Sequence, residues 1–261
     1  MDQPTIVTRD EWLDARKGLL VKEKALTHAK DALSAERRRL PMVRVDKQYV
    51  FDTPGGRQTL ADLFAGRSQL VVYHFMMGPD WPEGCPSCSL LADHLGPSVV
   101  HLAERDVTLV AVSRAPLSHI EAFKRRMGWH FTWASSYGSD FNTDYRVSFT
   151  KEEMAAGQAY YNYETSGFPS EEAPGLSVFF KDAAGEVFHT YSTYGRGGDP
   201  FIGAYSYLDL VPKGRDEGGF PFPMAWVRHH DRYAAGHAAL AEQAHRQAAG
   251  AESCCESHEH A

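Results

Sequence analysis

The sequence predicts an α/β protein, with a mixed central sheet flanked by helices and a long helix at its N-terminal end. Three observations carry this reading. Residues 70–76 (LVVYHFM) and 107–112 (VTLVAV) are continuous apolar runs, as expected of strands buried on both faces. Each run is followed by a stretch of helical pattern, so the two should pair in parallel through crossovers. Farther on, LSVFFK (176–181) and EVFHTY (186–191) flank a turn at residues 182–185. That hairpin should add antiparallel strands and complete a mixed sheet.

The elements follow in chain order. Thr8 and Glu11 form a capping-box pattern ahead of Trp12 and Leu13. From there to Leu40 no proline occurs, and Trp12, Leu19, Leu26, Leu33 and Leu40 recur every seven residues. This spacing keeps them on one side of a helix over residues 8–40, which Pro41 ends. Asp10, Glu11 and Asp14 near its start, and Arg37, Arg38 and Arg39 near its end, suit the helix dipole. The stripe is expected to lie along the main domain or to pair with a second copy of the chain. Residues 49–51 and 67–70 flank a Pro54-Gly55-Gly56 turn and a short helix at 60–64. After the strand at 70–76 comes the loop GPDWPEGCPSCS and one helix from about residue 87 to 101. The strand at 107–112 leads to a helix opened by Pro116, then a short strand at 131–134. Residues 135–150 read as a structured loop, 151–157 as a helical turn or two, 167–175 as a surface linker and 201–210 as the last helix. The division expected is an amphipathic helix (1–41), an α/β domain with a C-terminal docking segment (42–235) and an alanine-rich, disordered tail (236–261).

Composition narrows the function classes. The 261 residues carry a net charge of −7, against a general nucleic-acid binder. No apolar run approaches the ~20 residues of a membrane span, and the first residues lack the apolar core of a secretory signal. The expectation is therefore a cytoplasmic protein, without nucleic-acid or membrane partners. Four cysteines are too few for a disulfide scaffold. Their placement is what carries information.

Cys85-Pro86-Ser87-Cys88 follows a buried strand and opens a helix. Thiols three residues apart at a helix start can close a small disulfide. The first sits where free N–H groups and the dipole stabilise a thiolate. Cys85 is thus the expected attacking sulfur and Cys88 the resolving one. Asp80 and Glu83 oppose ionisation, so the Cys85 pKa should fall only modestly, to near 7. Pro174 lies just ahead of the strand at 176–181.

This order of strand, CxxC, helix, strand, helix, then proline, strand, turn and strand resembles the thioredoxin superfamily. The thioredoxin fold carries a cis-proline beside its disulfide at the place of Pro174, so the resemblance implies a cis bond there. The segments TRDEWLDARKGLLVKEKALT, VYHFMMGPDWPEGCPSCS, VTLVAVSRAPL, SSYGSDFN and FHTYSTYGRG resemble more closely a bacterial family of predicted dithiol–disulfide oxidoreductases, carried as a domain of unknown function. The likeness spans roughly residues 5–235. It implies a thioredoxin-like fold and thiol–disulfide exchange through a mixed disulfide, with a protein or low-molecular-weight disulfide as substrate and an external thiol as reductant. Two departures stand out. Gly84 occupies the place where thioredoxin-like reductases usually carry tryptophan, with Trp81 nearby. Pro82 occupies the place where peroxiredoxins carry Thr or Ser, which weakens a thiol-peroxidase alternative. A non-catalytic binding or sensing module is the third reading.

Further candidates support or compete with the dithiol. His74, on the strand entering the motif, is a candidate proton relay for Cys88, and Pro174 and Trp81 are candidate supports. Trp129, Trp133, Tyr137, Phe141 and Tyr145 could wall a groove, and Arg114 could steer an anionic substrate. His229, His230 and Asp231 are of metal-ligand type but adjacent, so a docking segment is expected there. Cys254, Cys255, His258 and His260 lie in the tail. No metal site is expected at the CxxC pair, because a zinc site needs two more ligands and the only other cysteines lie in the tail. No bound nicotinamide or flavin is expected, because no glycine-rich dinucleotide fingerprint follows a strand.

Overall fold

The computed structural model describes residues 5–233, so the tail cysteines and histidines lie outside the described residues. In chain order the elements are α1 (Arg9–Arg37), β1 (Val43–Arg44), β2 (Val50–Thr53), β3 (Gly56–Thr59), β4 (Gln69–His74), α2 (Pro86–Ala92), α3 (Gly96–Ala103), β5 (Val107–Ser113), α4 (Leu117–Arg126), β6 (Thr132–Ser135), α5 (Phe141–Asp144), α6 (Lys151–Ala155), β7 (Ala159–Tyr161), β8 (Glu164–Ser166), β9 (Gly175–Lys181), β10 (Val187–Tyr194) and α7 (Gly203–Leu208).

Eight strands form one sheet in the order β1-β10-β9-β4-β5-β6-β2-β3. The pairs β4–β5 and β5–β6 are parallel, whereas β9 is antiparallel to both β4 and β10. This is the thioredoxin-like arrangement: a mixed sheet flanked by helices, with the dithiol where the central strand β4 hands over to α2. Alternation along β4 sorts its side chains between two cores. Tyr73 and, just beyond β4, Phe75 face a cluster holding Cys88, Leu91, Trp129, Trp133 and Leu176. Leu70 and Val72 face the opposite cluster, with Phe51, Val112, Phe141 and Phe179.

The structure departs from the sequence reading in four places. The helix expected from 87 to 101 is two helices, α2 and α3, separated at residues 93–95. Pro97 has no N–H to continue a helix and is placed in the first turn of α3, where none is needed. The expected loop at 135–150 contains α5. The hairpin β7–β8 and the two-residue edge strand β1 have no counterpart in the sequence reading.

The fourth departure is α1. Its capping box forms: Glu11 N donates to Thr8 Oγ1 at 3.3 Å, and Thr8 N donates to Glu11 Oε2 at 2.9 Å. None of its residues is buried. Trp12, Leu19, Leu26 and Leu33, with Leu40 just beyond, are each about half exposed. The expectation that this stripe lies along the domain is therefore corrected. Both faces of the sheet have their apolar cover from other elements. The C-terminal end of α1 meets the body where the Arg37 guanidinium lies 5.5 Å above the Tyr191 ring.

Candidate active site

The loop from 77 to 84 is folded back onto the end of β4. Phe75 N donates to Val112 O at 3.0 Å and Ala115 N to Met77 O at 2.9 Å, extending the sheet past His74. Cys85 N donates to Met76 O at 3.0 Å and closes the loop. A Cβ at Gly84 would stand 2.8 Å from the Phe123 ring and closer still to Phe75. Only glycine fits there, which explains the missing tryptophan before the first cysteine.

Cys85 is the N-cap of α2, and Pro86 starts the helix without an N–H to satisfy. Ser89 N and Ser89 Oγ both donate to Cys85 O at 2.9 Å. Both cysteines are free thiols, Cys85 half-buried and Cys88 buried. Their acidities are split. The Cys88 thiol donates to the Cys85 sulfur, backbone N–H groups of Cys88 and Ser87 add to it, and together they outweigh burial and lower the Cys85 pKa to about 7. Burial, with the neighbouring Cys85 sulfur, pushes Cys88 well above the ordinary thiol range. Glu83, expected to oppose ionisation, is occupied by two guanidinium groups, Arg126 at 2.8 Å and Arg232 at 2.6 Å.

Tyr73 is the residue the sequence reading missed. Its hydroxyl donates to Cys88 O at 3.3 Å and also reaches the Cys88 sulfur. Burial holds its own pKa well above the usual value, so it remains a donor. The alternation of β4 carried the signal: Tyr73 shares its face with Phe75, under α2.

A cavity of about 530 Å³ adjoins the dithiol at Ser87 and Cys88. Tyr73, Met76, Leu91, Leu176, Ile202 and Tyr205 form its apolar floor, and Arg196, Asp199, Asp209, Arg215 and Glu217 its polar rim. Pro174 lines the same cavity. Its peptide bond, however, is trans, since no cis bond occurs among the described residues. The two X–Pro forms differ by only ~0.5–1 kcal/mol, and flanking tethers select one. Ala173 N donates to Val147 O at 2.9 Å, and Tyr161 Oη donates to Pro174 O at 2.7 Å.

His74 is not a relay for Cys88. It points to the opposite face of the sheet, stacked on Tyr145, with Nε2 2.8 Å from Ser177 Oγ. Burial lowers its pKa to about 3, so it is neutral. Trp81 packs its indole against Gly78 in the approach loop and does not line the cavity. The aromatic set does not wall a groove either. Trp129, Trp133 and Phe141 are buried, divided with Tyr145 between the two cores, and Tyr137 is exposed. Arg114 is ion-paired with the buried Glu172 and is not available to an anion.

Residues 226–233 lie against the body near the start of α2. His229 is buried, with Nε2 2.8 Å from Gly84 O and Nδ1 2.9 Å from an Arg126 nitrogen. Arg126 can only donate, so Nδ1 accepts and Nε2–H donates to the residue preceding Cys85. His230 Nδ1 pairs with Asp93 at 2.7 Å, and Asp231 pairs with Arg126 at 2.8 Å. His229 and Asp231 thus share Arg126 while His230 holds Asp93, and no group of three metal-ligand side chains gathers among the described residues.

A search of the curated proteins finds no relative at a significant level. Among solved structures, peroxidoxin BcpB from Mycobacterium tuberculosis aligns at 12% identity and TM-score 0.42, over 63% of this chain and 94% of its own. Peroxiredoxin Q from Xanthomonas campestris aligns at 14% identity and TM-score 0.43, over 63% of this chain and 95% of its own. A secreted M. tuberculosis disulfide oxidoreductase homologous to E. coli DsbE aligns at 19% identity and TM-score 0.34, over 60% and 92%. The model of the bacterial family of unknown function DUF899 matches residues 1–233, and the chain belongs to that family.

Proposed function

We propose that the protein is a thiol–disulfide oxidoreductase whose working groups are Cys85 and Cys88. The observation that carries the reading is the placement of two free thiols one turn apart at the start of α2, Cys85 half-buried at its N-cap and Cys88 buried behind it, an arrangement that lowers the first acidity and raises the second. The Cys85 thiolate attacks one sulfur of a disulfide RS–SR′. A Cys85–SR mixed disulfide forms, and R′S⁻ leaves and takes a proton from solvent. Cys88 then loses its proton and attacks the Cys85 sulfur. RS⁻ departs, and the Cys85–Cys88 disulfide is left, the dithiol having given up two electrons. An external thiol reductant restores the dithiol.

Each neighbour has a part in this sequence. The Cys88 thiol and the local N–H groups hold the attacking thiolate. Tyr73 donates toward Cys88 and steadies the thiolate that must form there for resolution. His229 and Arg126 fix the carbonyl of Gly84 and so the start of the motif. The test is trapping. Cys88→Ser should accumulate a mixed disulfide at Cys85, read by peptide mass, and Cys85→Ser should accumulate none. A reduced protein that consumes hydrogen peroxide rapidly but leaves disulfides untouched would replace this reading with a thiol peroxidase.

A further inference from the structure

The rim of the cavity beside Cys88 carries charges that largely pair with one another. Arg215 is held in a two-point pair by Asp209, at 2.8 Å for each contact, and reaches Asp199 at 3.0 Å. Its guanidinium also lies 3.8 Å above the Tyr205 ring. Arg196 pairs with the same Asp199 at 3.2 Å. Glu217 Oε1 accepts from Tyr205 Oη at 2.7 Å, Met224 N at 2.9 Å and Trp226 Nε1 at 2.8 Å. Two arginines against three carboxylates leave the rim with one excess negative charge; Arg215 is fully engaged, whereas Arg196 is exposed and touches Asp199 through Nε alone. An anion entering here meets a net negative rim and would have to break a bidentate pair to gain Arg215.

Below this rim the surface is apolar. A volume of about 530 Å³ falls within the ~300–1,000 Å³ typical of small-molecule sites and is far too small for a folded partner. Met224 and Pro223 close one wall, so the segment beyond α7 limits what can enter.

We propose that the cavity is the substrate site and takes a small, uncharged, largely apolar disulfide, in preference to glutathione disulfide or a protein. This inference rests on the oxidoreductase reading. The substrate's apolar half lies against Leu91 and Leu176, next to Cys88. Attack by Cys85 releases the other half as a thiolate, which takes a proton from solvent. The retained half stays in the cavity as the mixed disulfide until Cys88 displaces it.

Gly198 provides the test. A Cβ there would stand 3.6 Å from Leu91 Cδ1 and 3.9 Å from Leu176 Cδ1, ordinary contacts, and its φ is not in the left-handed region. Gly198→Leu therefore fills the cavity from its wall without backbone strain. The measurement is the rate at which the reduced full chain is oxidised by 4,4′-dithiodipyridine, uncharged at neutral pH, and by glutathione disulfide. The ratio of the two rates is compared between wild type and variant, so that intrinsic reactivity cancels. We expect Gly198→Leu to lower that ratio at least tenfold, with Met224→Ala lowering it in the same direction. Alkylation of Cys85 by iodoacetamide should be unchanged in both, showing an intact dithiol. An unchanged ratio with normal alkylation, or a selective loss with glutathione disulfide, overturns the cavity as the substrate site. If wild type is oxidised by neither disulfide, the oxidoreductase reading itself fails, and the inference falls with it. If Gly198→Leu loses iodoacetamide reactivity through misfolding, Met224→Ala decides alone by the same ratio.

Discussion

The helices α1 and α2 present opposite relations between pattern and environment. α1 has 29 residues, a formed capping box and a seven-residue apolar repeat, yet none of its residues is buried. α2 has seven residues and no side-chain cap, yet Cys88, Ser89, Leu91 and Ala92 are buried. Periodicity fixes which side chains share a face and leaves open what covers that face. In α2 the cover is the sheet, reached directly from β4, and burial there separates the acidities of two thiols. In α1 the stripe stays about half exposed and lacks a cover among the described residues. We expect the cover to be a second copy. An antiparallel pairing centred on Leu26 sets Leu19 against Leu33 and Trp12 against Leu40. It also brings the acidic start of one helix, with Asp10 and Asp14, alongside the basic end of the other, with Arg38 and Arg39.

Substitutions in one region should leave the other untouched. Cys85→Ser should have the largest effect, lowering disulfide turnover by ~10³-fold or more because no other group replaces the attacking sulfur. The assembly state, read by light scattering, should not change. His229→Ala should destabilise the body by about 1–3 kcal/mol in denaturant unfolding, because Gly84 O and Arg126 each lose a buried partner. Tyr73→Phe should slow the resolving step about fivefold, the equivalent of ~1 kcal/mol for one hydrogen bond, while the initial attack by Cys85 proceeds at the wild-type rate. Stopped-flow separation of the two steps checks this. Leu26→Asp should halve the particle mass and leave turnover within twofold of wild type. A Leu26→Asp protein that keeps its mass, or a wild type that is already monomeric, would show that α1 is not covered by its own copy.

The contrast also explains what the sequence disclosed. The apolar runs of β4 and β5, the CxxC spacing and the β9–β10 hairpin are local signals, and each leads to the observed element. The split of the expected long helix turns on Pro97, which suits a new helix start as well as it ends an old one. β7 and β8 are three-residue strands, largely exposed or half-exposed, too short for alternation to register. His74 is close to the dithiol in sequence, but alternation puts it on the face away from Cys88 and leaves Tyr73 beside it. The trans bond before Pro174 and the paired charges of the rim depend on contacts between distant segments. Tyr161 holds Pro174, Asp199 holds Arg215 and Glu217 holds Trp226, and no local pattern announces them.

The split acidity has a signed consequence for stability. The folded Cys85 pKa is lowered to about 7, below the ~8.5 of a free cysteine. In that interval the unfolded chain binds the proton that the folded chain has released. The reduced protein should therefore gain stability as pH rises from about 7 to 8.5, and lose that contribution as pH falls through 7. Cys85→Ser should remove the dependence.

The measurement that bears most directly on the dithiol is alkylation of each cysteine by iodoacetamide as a function of pH, in the reduced full chain, with labelled peptides resolved by mass. The account predicts that Cys85 labels along a curve with its midpoint near pH 7, and that Cys88 labels only at higher pH, above the ordinary thiol range. Labelling of Cys88 first, or a Cys85 midpoint at the ~8.5 of a free thiol, would contradict it.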